Sequence, residues 1–516
     1  MMILRYYVYA LLLGLVLVFG QCTKAKIILI RYEKEILDFI IPNTTTNVVF
    51  NDDTILIEVY PYVDVTKLTP IVVVSDGATV DPPSGSTVDF TEPVIYAVTA
   101  LDGSVAEYTV TINKNLSRRN DIEDFRLVGT QQIFEREGDN IFIYVPYETD
   151  VTNIKTDIVV SDLATVSPES GEFMDFTNPQ IYTVRASDGS EKDFLVTVKR
   201  SPWRKVANGP FAPRDEHTVL VFKDKMWLLG GWVGNCIGSP IPSYPDDCNT
   251  LTNDVWNTSN GKDWDCVSNE GENPWIGRHG SGVVVYKDSI WIISGDGHTD
   301  VWKSGDGVNW ELVTDEAPWG QRYGPYVAVF NDKLWLIGGV DWWNRDGDYV
   351  RPQGTKAFND VWSSINGKDW ELELEFAPFA QRGMIHGYTV FNDELYILGG
   401  GTRANWPPYS VFNDVWKTSN AISWTRVTNN AAWLPRLHHN IIDYDSKLWI
   451  VGGTTNSANL NNDVWYSENG GISWKQLKHS FFPITHASSL CVFQGKLWMV
   501  SGFMHNQIWV LEDTGF

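Results

Sequence analysis

The sequence predicts an all-β protein: two antiparallel β-sandwich modules followed by a six-bladed β-propeller. Three patterns lead there. A decapeptide of the form Phe330-Asn-Asp-Lys-Leu-Trp-Leu-Ile-Gly-Gly339 recurs through the C-terminal two-thirds of the chain. An Asn-Asp-Val-Trp tetrapeptide, or a degenerate version of it, follows each copy. Upstream, an unrelated repeat relates two segments at a constant offset of 86 residues.

The chain opens on a targeting segment, residues 1–22. Arg5 precedes the apolar run Tyr6–Gly20, which is too short to span a bilayer comfortably. The run ends Val18-Phe19-Gly20-Gln21-Cys22, which resembles a bacterial lipoprotein cleavage box; the resemblance implies lipidation at Cys22. Gln21 departs from the small residue usual before such a cysteine, so ordinary secretory cleavage stays open. The body is expected to be exported, lipid-anchored at the outer membrane and facing the cell surface or the periplasm. Cysteine usage agrees with export. Cys236 and Cys248 fall within one loop and are close enough to bridge, whereas Cys266 and Cys491 fall on different strands of different repeats and are expected to be free, buried and inert. The formal charge of −24 argues against nucleic acid or an anionic membrane surface as partner.

Two modules follow, residues 23–114 and 115–200. Val72-Val-Val-Ser-Asp76 matches Ile158-Val-Val-Ser-Asp162, Asp89-Phe-Thr-Glu-Pro93 matches Asp175-Phe-Thr-Asn-Pro179, and Tyr96 matches Tyr182. Alternating segments such as Tyr108–Ile112 and Phe194–Val198 read as half-buried strands between Asp/Gly/Pro/Ser turns. These modules resemble the tandem immunoglobulin- or cadherin-like units of Bacteroidetes-type surface lipoproteins, which implies a stalk. Asp64, Asp76 and Asp150 are calcium candidates, but solvated turn aspartates are the better reading.

Residues 201–516 hold the propeller. Each decapeptide reads as two strands joined by a polar turn, the second apolar on both faces and therefore sandwiched between sheets. Asn253, Asn359, Asn413 and Asn462 open the third strands; Thr299-Asp-Val-Trp302 and Gln507-Ile-Trp509 are weaker versions. Trp264, Trp310, Trp370, Trp424 and Trp474 mark the fourth. The sixth unit ends at Trp509 without a fourth strand, and Trp203-Arg-Lys-Val206 supplies the missing pattern from the front of the domain. With units of about 50 residues, the repeat resembles a kelch-type propeller blade.

Arg214, Arg278, Arg322, Arg382 and Arg436 each precede a first strand, and His217, His279, His386, His438, His439 and His486 crowd the same connections. In kelch domains arginines at this position line the ligand pocket, so the resemblance implies a ring of guanidiniums at the propeller mouth. Blade six departs, with Thr485 in place of arginine. Long insertions on the same face carry Trp342, Trp343, Arg345, Trp406 and Tyr409, residues that suit a sugar: ring faces stack on its C–H surface and polar groups take its hydroxyls. The expected function is recognition of a carbohydrate or other anionic ligand by a monomer, with a protein partner as a further option and with no metal, cofactor or catalytic residue assigned. The alternative is a kelch-type mutarotase or epimerase acting on an acidic sugar, with Glu216 or Asp215 beside Arg214 and His217 as acid/base. The turns Ser467–Trp474 and Ser304–Trp310 resemble the Asp-box of sialidases, but that is a turn staple on the opposite face. The His/Tyr/Cys set of kelch-like copper oxidases has no counterpart.

Overall fold

The computed structural model describes residues 33–42, 44–234, 249–341, 356–402, 410–455, 459–500, 502–503 and 505–512. The targeting segment with Cys22, the pair Cys236 and Cys248, and the aromatic insertions with Trp342, Trp343, Arg345, Trp406 and Tyr409 lie outside them. Among the described residues the secondary structure is strand, apart from one 3-10 turn at Val65–Lys67.

In the first module a five-stranded sheet runs in the order Thr45–Asn51, Thr54–Val59, Val105–Lys114, Val94–Thr99 and Thr79–Asp81. Ile36–Ile40 and Ile71–Val74 form a second, two-stranded sheet. Strand alternation decides what faces inward: Ile55, Ile57 and Val59 are buried while their neighbours are not. Both sheets feed one core, in which Phe39 and Val72 meet Ile57, Tyr96 and Val110. The second module repeats that core. Phe39 packs edge-on against Tyr96 at 5.2 Å, and Phe125 packs edge-on against Tyr182 at 5.0 Å, each residue shifted by the sequence offset.

The sequence predicts antiparallel modules, and the structure corrects this: each contains a parallel pair. Thr54–Val59 pairs in parallel with Val105–Lys114, and Asn140–Val145 does so with Glu191–Arg200. A hairpin cannot make such a pair; the chain leaves for other strands before it returns in the same direction. Asp64 and Asp150 each accept a hydrogen bond from the backbone of the threonine two residues on, at 3.0 and 2.9 Å, and so act as turn residues.

After Arg200 the strands fall into antiparallel quartets. Their inner strands are Thr218–Phe222, Gly282–Tyr286, Tyr326–Phe330, Thr389–Phe391, His439–Tyr444 and Ser489–Phe493, numbered here as quartets 1 to 6. Quartets 4 and 5 are further joined through Ile385–His386 and Arg436–Leu437. The outermost strand of quartet 6 is Trp203–Asn208, paired with Gln507–Leu511 as the sequence predicts. Buried apolar clusters join quartet 1 to 2, 2 to 3, 3 through 4 to 5, 5 to 6, and 6 back to 1. In five of the six second strands a tryptophan (Trp227, Trp291, Trp335, Trp449, Trp498) donates its indole N–H to the carbonyl five residues back, which stitches it to the end of the inner strand; quartet 4 has Tyr396 there.

The Gly-Gly pair at the end of second strands answers a close approach. Gly338 and Gly339 sit at φ 60° and 100°, and a Cβ on Gly338 would lie 2.4 Å from the Arg382 carbonyl oxygen. Cys491 is buried as expected, but Cys266 is exposed: it lies on the outermost strand of quartet 1, Asp265–Ser268, which pairs on one side only, with Asn249–Thr258.

Candidate functional site

Every inner strand is reached through the same short connection. Two residues past the arginine, or past Thr485 in quartet 6, the backbone takes a positive φ: Glu216 (52°), Gly280 (60°), Gly324 (55°), Met384 (60°), His438 (54°) and Ala487 (51°). Glycine is at ease in that region and other residues are not. The conformation is held by hydrogen bonds from quartet to quartet. Gly324 N donates to Gly280 O, Met384 N to Gly324 O, His438 N to Met384 O, Ala487 N to His438 O and Glu216 N to Ala487 O, at 2.6 to 3.1 Å. This train of backbone links brings side chains from all quartets toward one centre.

The five arginines are not among them. Arg214, Arg278, Arg322, Arg382 and Arg436 make bidentate pairs with Asp254, Asp300, Asp360, Asp414 and Asp463, the aspartates of the third-strand tetrapeptides. Their remaining N–H groups go to carbonyls, among them Gly230, Gly338, Gly399 and Gly452. Each is at most 3% exposed. The expected ring of ligand-facing guanidiniums is therefore corrected: these arginines staple inner to third strands inside their own quartets. A guanidinium buried there needs a carboxylate, and the third strand places one opposite it. Each aspartate also accepts the indole N–H of the tryptophan two residues on, as Asp463 does from Trp465 at 2.7 Å.

What converges instead is a set of imidazoles and carboxylates. His438 Nδ1 lies 2.8 Å from Glu216 Oε1. The Tyr323 hydroxyl donates to the same carboxylate oxygen in a very short hydrogen bond. His386 Nε2 is 3.5 Å from His438 Nδ1. His486 Nε2 is 2.9 Å from Asp215 Oδ2, while Asp215 Oδ1 accepts from the backbone of Glu216 and Phe503. His279 Nδ1 is 2.7 Å from Asp296 Oδ2. The rings touch in sequence, with centroids 5.0 Å apart for His279 and Tyr323, 5.8 Å for His386 and His438, and 5.6 Å for His438 and His486.

Burial alone would raise the carboxyl pKa of Glu216, but His438 and His279 outweigh it and hold the group well below its usual range. Asp215 is lowered in the same way, burial being overcome by His486. Burial opposes charge on His279, yet Asp296 and Glu216 push it up to about 9, so that imidazole is cationic at neutral pH. His386 goes the other way, lowered chiefly by burial. His217 and His439 are driven down to about 3 by burial and by Arg214 and Arg436 respectively, and stay neutral. His439 accepts its place from a backbone contact, Nε2 to Leu398 O at 2.8 Å.

The inner strands enclose a cavity of about 710 Å³ whose lining includes His217, His386, Tyr388, Asp443 and Cys491. The cluster sits at the end of that channel where the inner strands begin. Of the sequence-predicted residues, His279, His386 and His438 meet here and His217 faces the channel. Glu216, weighed beside Arg214 and His217, works instead with His438 and Tyr323, and Asp215 works with His486. His486, one of the histidines expected at these connections, joins them through Asp215, whereas Tyr323 and Asp296 carry no signal in the sequence. A carboxylate, a phenol and an imidazole in mutual hydrogen-bond reach can move protons, and Glu216, His386 and His438 offer donor atoms that all lie within 4.8 Å of one another.

Comparison with known families places labels on two parts of the chain. Residues 36–112 and 122–198 each match the family model described as "SGBP, N-terminal", SGBPs being surface glycan-binding proteins of Bacteroidetes. Residues 378–512 match the family model described as "DUF6242 beta propeller domain".

Proposed function

We propose, with the two SGBP-type modules as premise, that this is an exported surface protein that captures glycans. The observation that carries the reading is the tandem match at residues 36–112 and 122–198. In this reading, residues 1–22 direct export with lipidation at Cys22, the modules at 23–114 and 115–200 are β-sandwiches forming a stalk, and residues 201–516 are a six-bladed, kelch-type propeller that presents the binding face. The backbone links between quartets and the apolar cluster between quartets 6 and 1 support closure. The glycan contact is assigned to the face from which second strands depart at Asp341 and Thr402, where the sequence continues into Trp342, Trp343, Arg345, Trp406 and Tyr409. Without free ring arginines, stacking and hydroxyl recognition carry more of the affinity than anion attraction.

A glycan array and affinity electrophoresis on residues 25–516 test the reading. Retardation by at least one polysaccharide is expected, and it should be lost when Trp342 and Trp343 are replaced by alanine. An array with no hits would overturn the function; hits that survive the double substitution would overturn the assigned face. A second reading, mutarotation or epimerisation of an acidic sugar, is favoured by the hydrogen-bonded Glu216–His438 pair with Tyr323 beside it. Exchange between anomer signals of a uronic acid, watched by NMR, should then accelerate with the wild type and not with Glu216→Gln.

A further inference from the structure

We propose that Glu216, His386 and His438 form a binding site for one divalent transition-metal ion at the end of the propeller channel. The three come from quartets 1, 4 and 5 and meet only because the linked connections bring them there. Their donor atoms stand 2.8 Å apart for Glu216 Oε1 and His438 Nδ1, and 3.5 Å apart for His438 Nδ1 and His386 Nε2. Two ligands of a tetrahedral zinc ion, each about 2.0–2.1 Å from the metal, stand about 3.3 Å from one another, between those two separations. Little movement would be needed.

The donor set fixes the class of ion. Two imidazoles and a carboxylate suit zinc and its first-row neighbours, whereas calcium and magnesium prefer oxygen cages and soft copper(I) prefers sulfur. The surroundings match those that orient ligands. Tyr323 donates to the Glu216 carboxylate, and Asp215, itself held by His486, accepts the Glu216 backbone N–H. Glu216 Oε2 is buried with no hydrogen-bond partner, the position expected of an oxygen kept for a ligand. Charge argues the same way. Asp215, Glu216 and Asp296 put three buried carboxylates close together, and each arginine of the connections is already spent on an aspartate of its own.

The test uses the untagged full chain, purified without chelator. Elemental analysis by plasma mass spectrometry should find close to one equivalent of a divalent transition metal. After chelator treatment, added Zn²⁺ should raise the melting temperature, because an ion that binds only the folded state stabilises it. His386→Ala, at the more open edge of the cluster, should weaken Zn²⁺ by at least about 100-fold in chelator competition, ligand loss being no milder than the loss of an orienting neighbour. Should that variant not fold, Co²⁺ added to the stripped wild type reports directly: an intense visible d–d band of a four- or five-coordinate nitrogen/oxygen site is expected. A metal-free native protein whose melting temperature ignores Zn²⁺ would overturn the proposal. So would a Co²⁺ spectrum no stronger than the hexaaquo ion, or full-affinity zinc retained by His386→Ala; the cluster would then be a histidinium–carboxylate knot.

Discussion

Arg436 and Asp463 show what a single buried ion pair does in this molecule, because the chain contains its own control. Quartet 6 has Thr485 where the other connections have arginine and Gln507 where the others have aspartate, and Trp509 donates to that glutamine as the other tryptophans donate to aspartate. Charge has been removed from both sides at once. Arg436→Thr alone would leave the half-buried Asp463 uncompensated, and should cost about 3 kcal/mol, the lower end for breaking a buried pair. Adding Asp463→Gln should recover more than half of that loss, an outcome read by denaturant titration of the double-mutant cycle. If the double variant is no more stable than the single, the pair does more than neutralise itself. The same coincidence was open to view in the sequence: five arginines, five tetrapeptide aspartates, and one repeat lacking both. Read that way, it marks the arginines as partners of the third strand before any ligand is considered.

The strands, and the pair that completes quartet 6, were legible because their signals are local. Alternation, the polar turn of the decapeptide and the terminal glycines each act within a few residues, and Trp203-Arg-Lys-Val206 declared itself by matching a pattern missing elsewhere. The convergent cluster was not legible. Glu216 and Tyr323 touch across 107 residues, and nothing in the spacing of either one indicates which position of the connection turns inward. A positive φ at Glu216 and His438, where two of the other repeats use glycine, is a backbone fact with no sequence signature when the residue is not glycine. The closing strand gives the test at this scale. Trp203 is fully buried and packs edge-on against Phe482 at 5.6 Å, so Trp203→Ala should cost roughly 3–5 kcal/mol. Deleting residues 201–206 should do worse, exposing the unpaired edge of Gln507–Leu511 and producing aggregate on size-exclusion chromatography that the full chain does not show. A monomeric deletion variant with unchanged melting would sink the role given to this strand.

Across the whole molecule the stapled pairs make acid the condition to fear. Burial would raise Asp254 and Asp300, but their guanidinium partners outweigh it and hold both below the usual carboxylate value. The folded-state pKa is thus depressed, so their contribution is fully present above about pH 4, the ordinary carboxylate range, and is lost as pH falls through the lowered folded values. Melting temperature should therefore be flat on the neutral side of pH 4 with respect to these groups and drop below it. A melting temperature that rose on acidification below pH 4 would contradict the sign. The pairing of Trp203–Asn208 with Gln507–Leu511 has a further consequence, in time rather than in energy. Arg204 and Glu512 pair across a separation of 308 residues, so Trp203–Asn208 depends on a strand made long after it. Until Gln507–Leu511 is available, Trp203–Asn208 lacks its strand partner, and quartet 6 is completed only after the intervening chain has been made. Such long-range pairing folds slowly, which makes the final docking of one short strand the natural rate-limiting step in maturation of this protein.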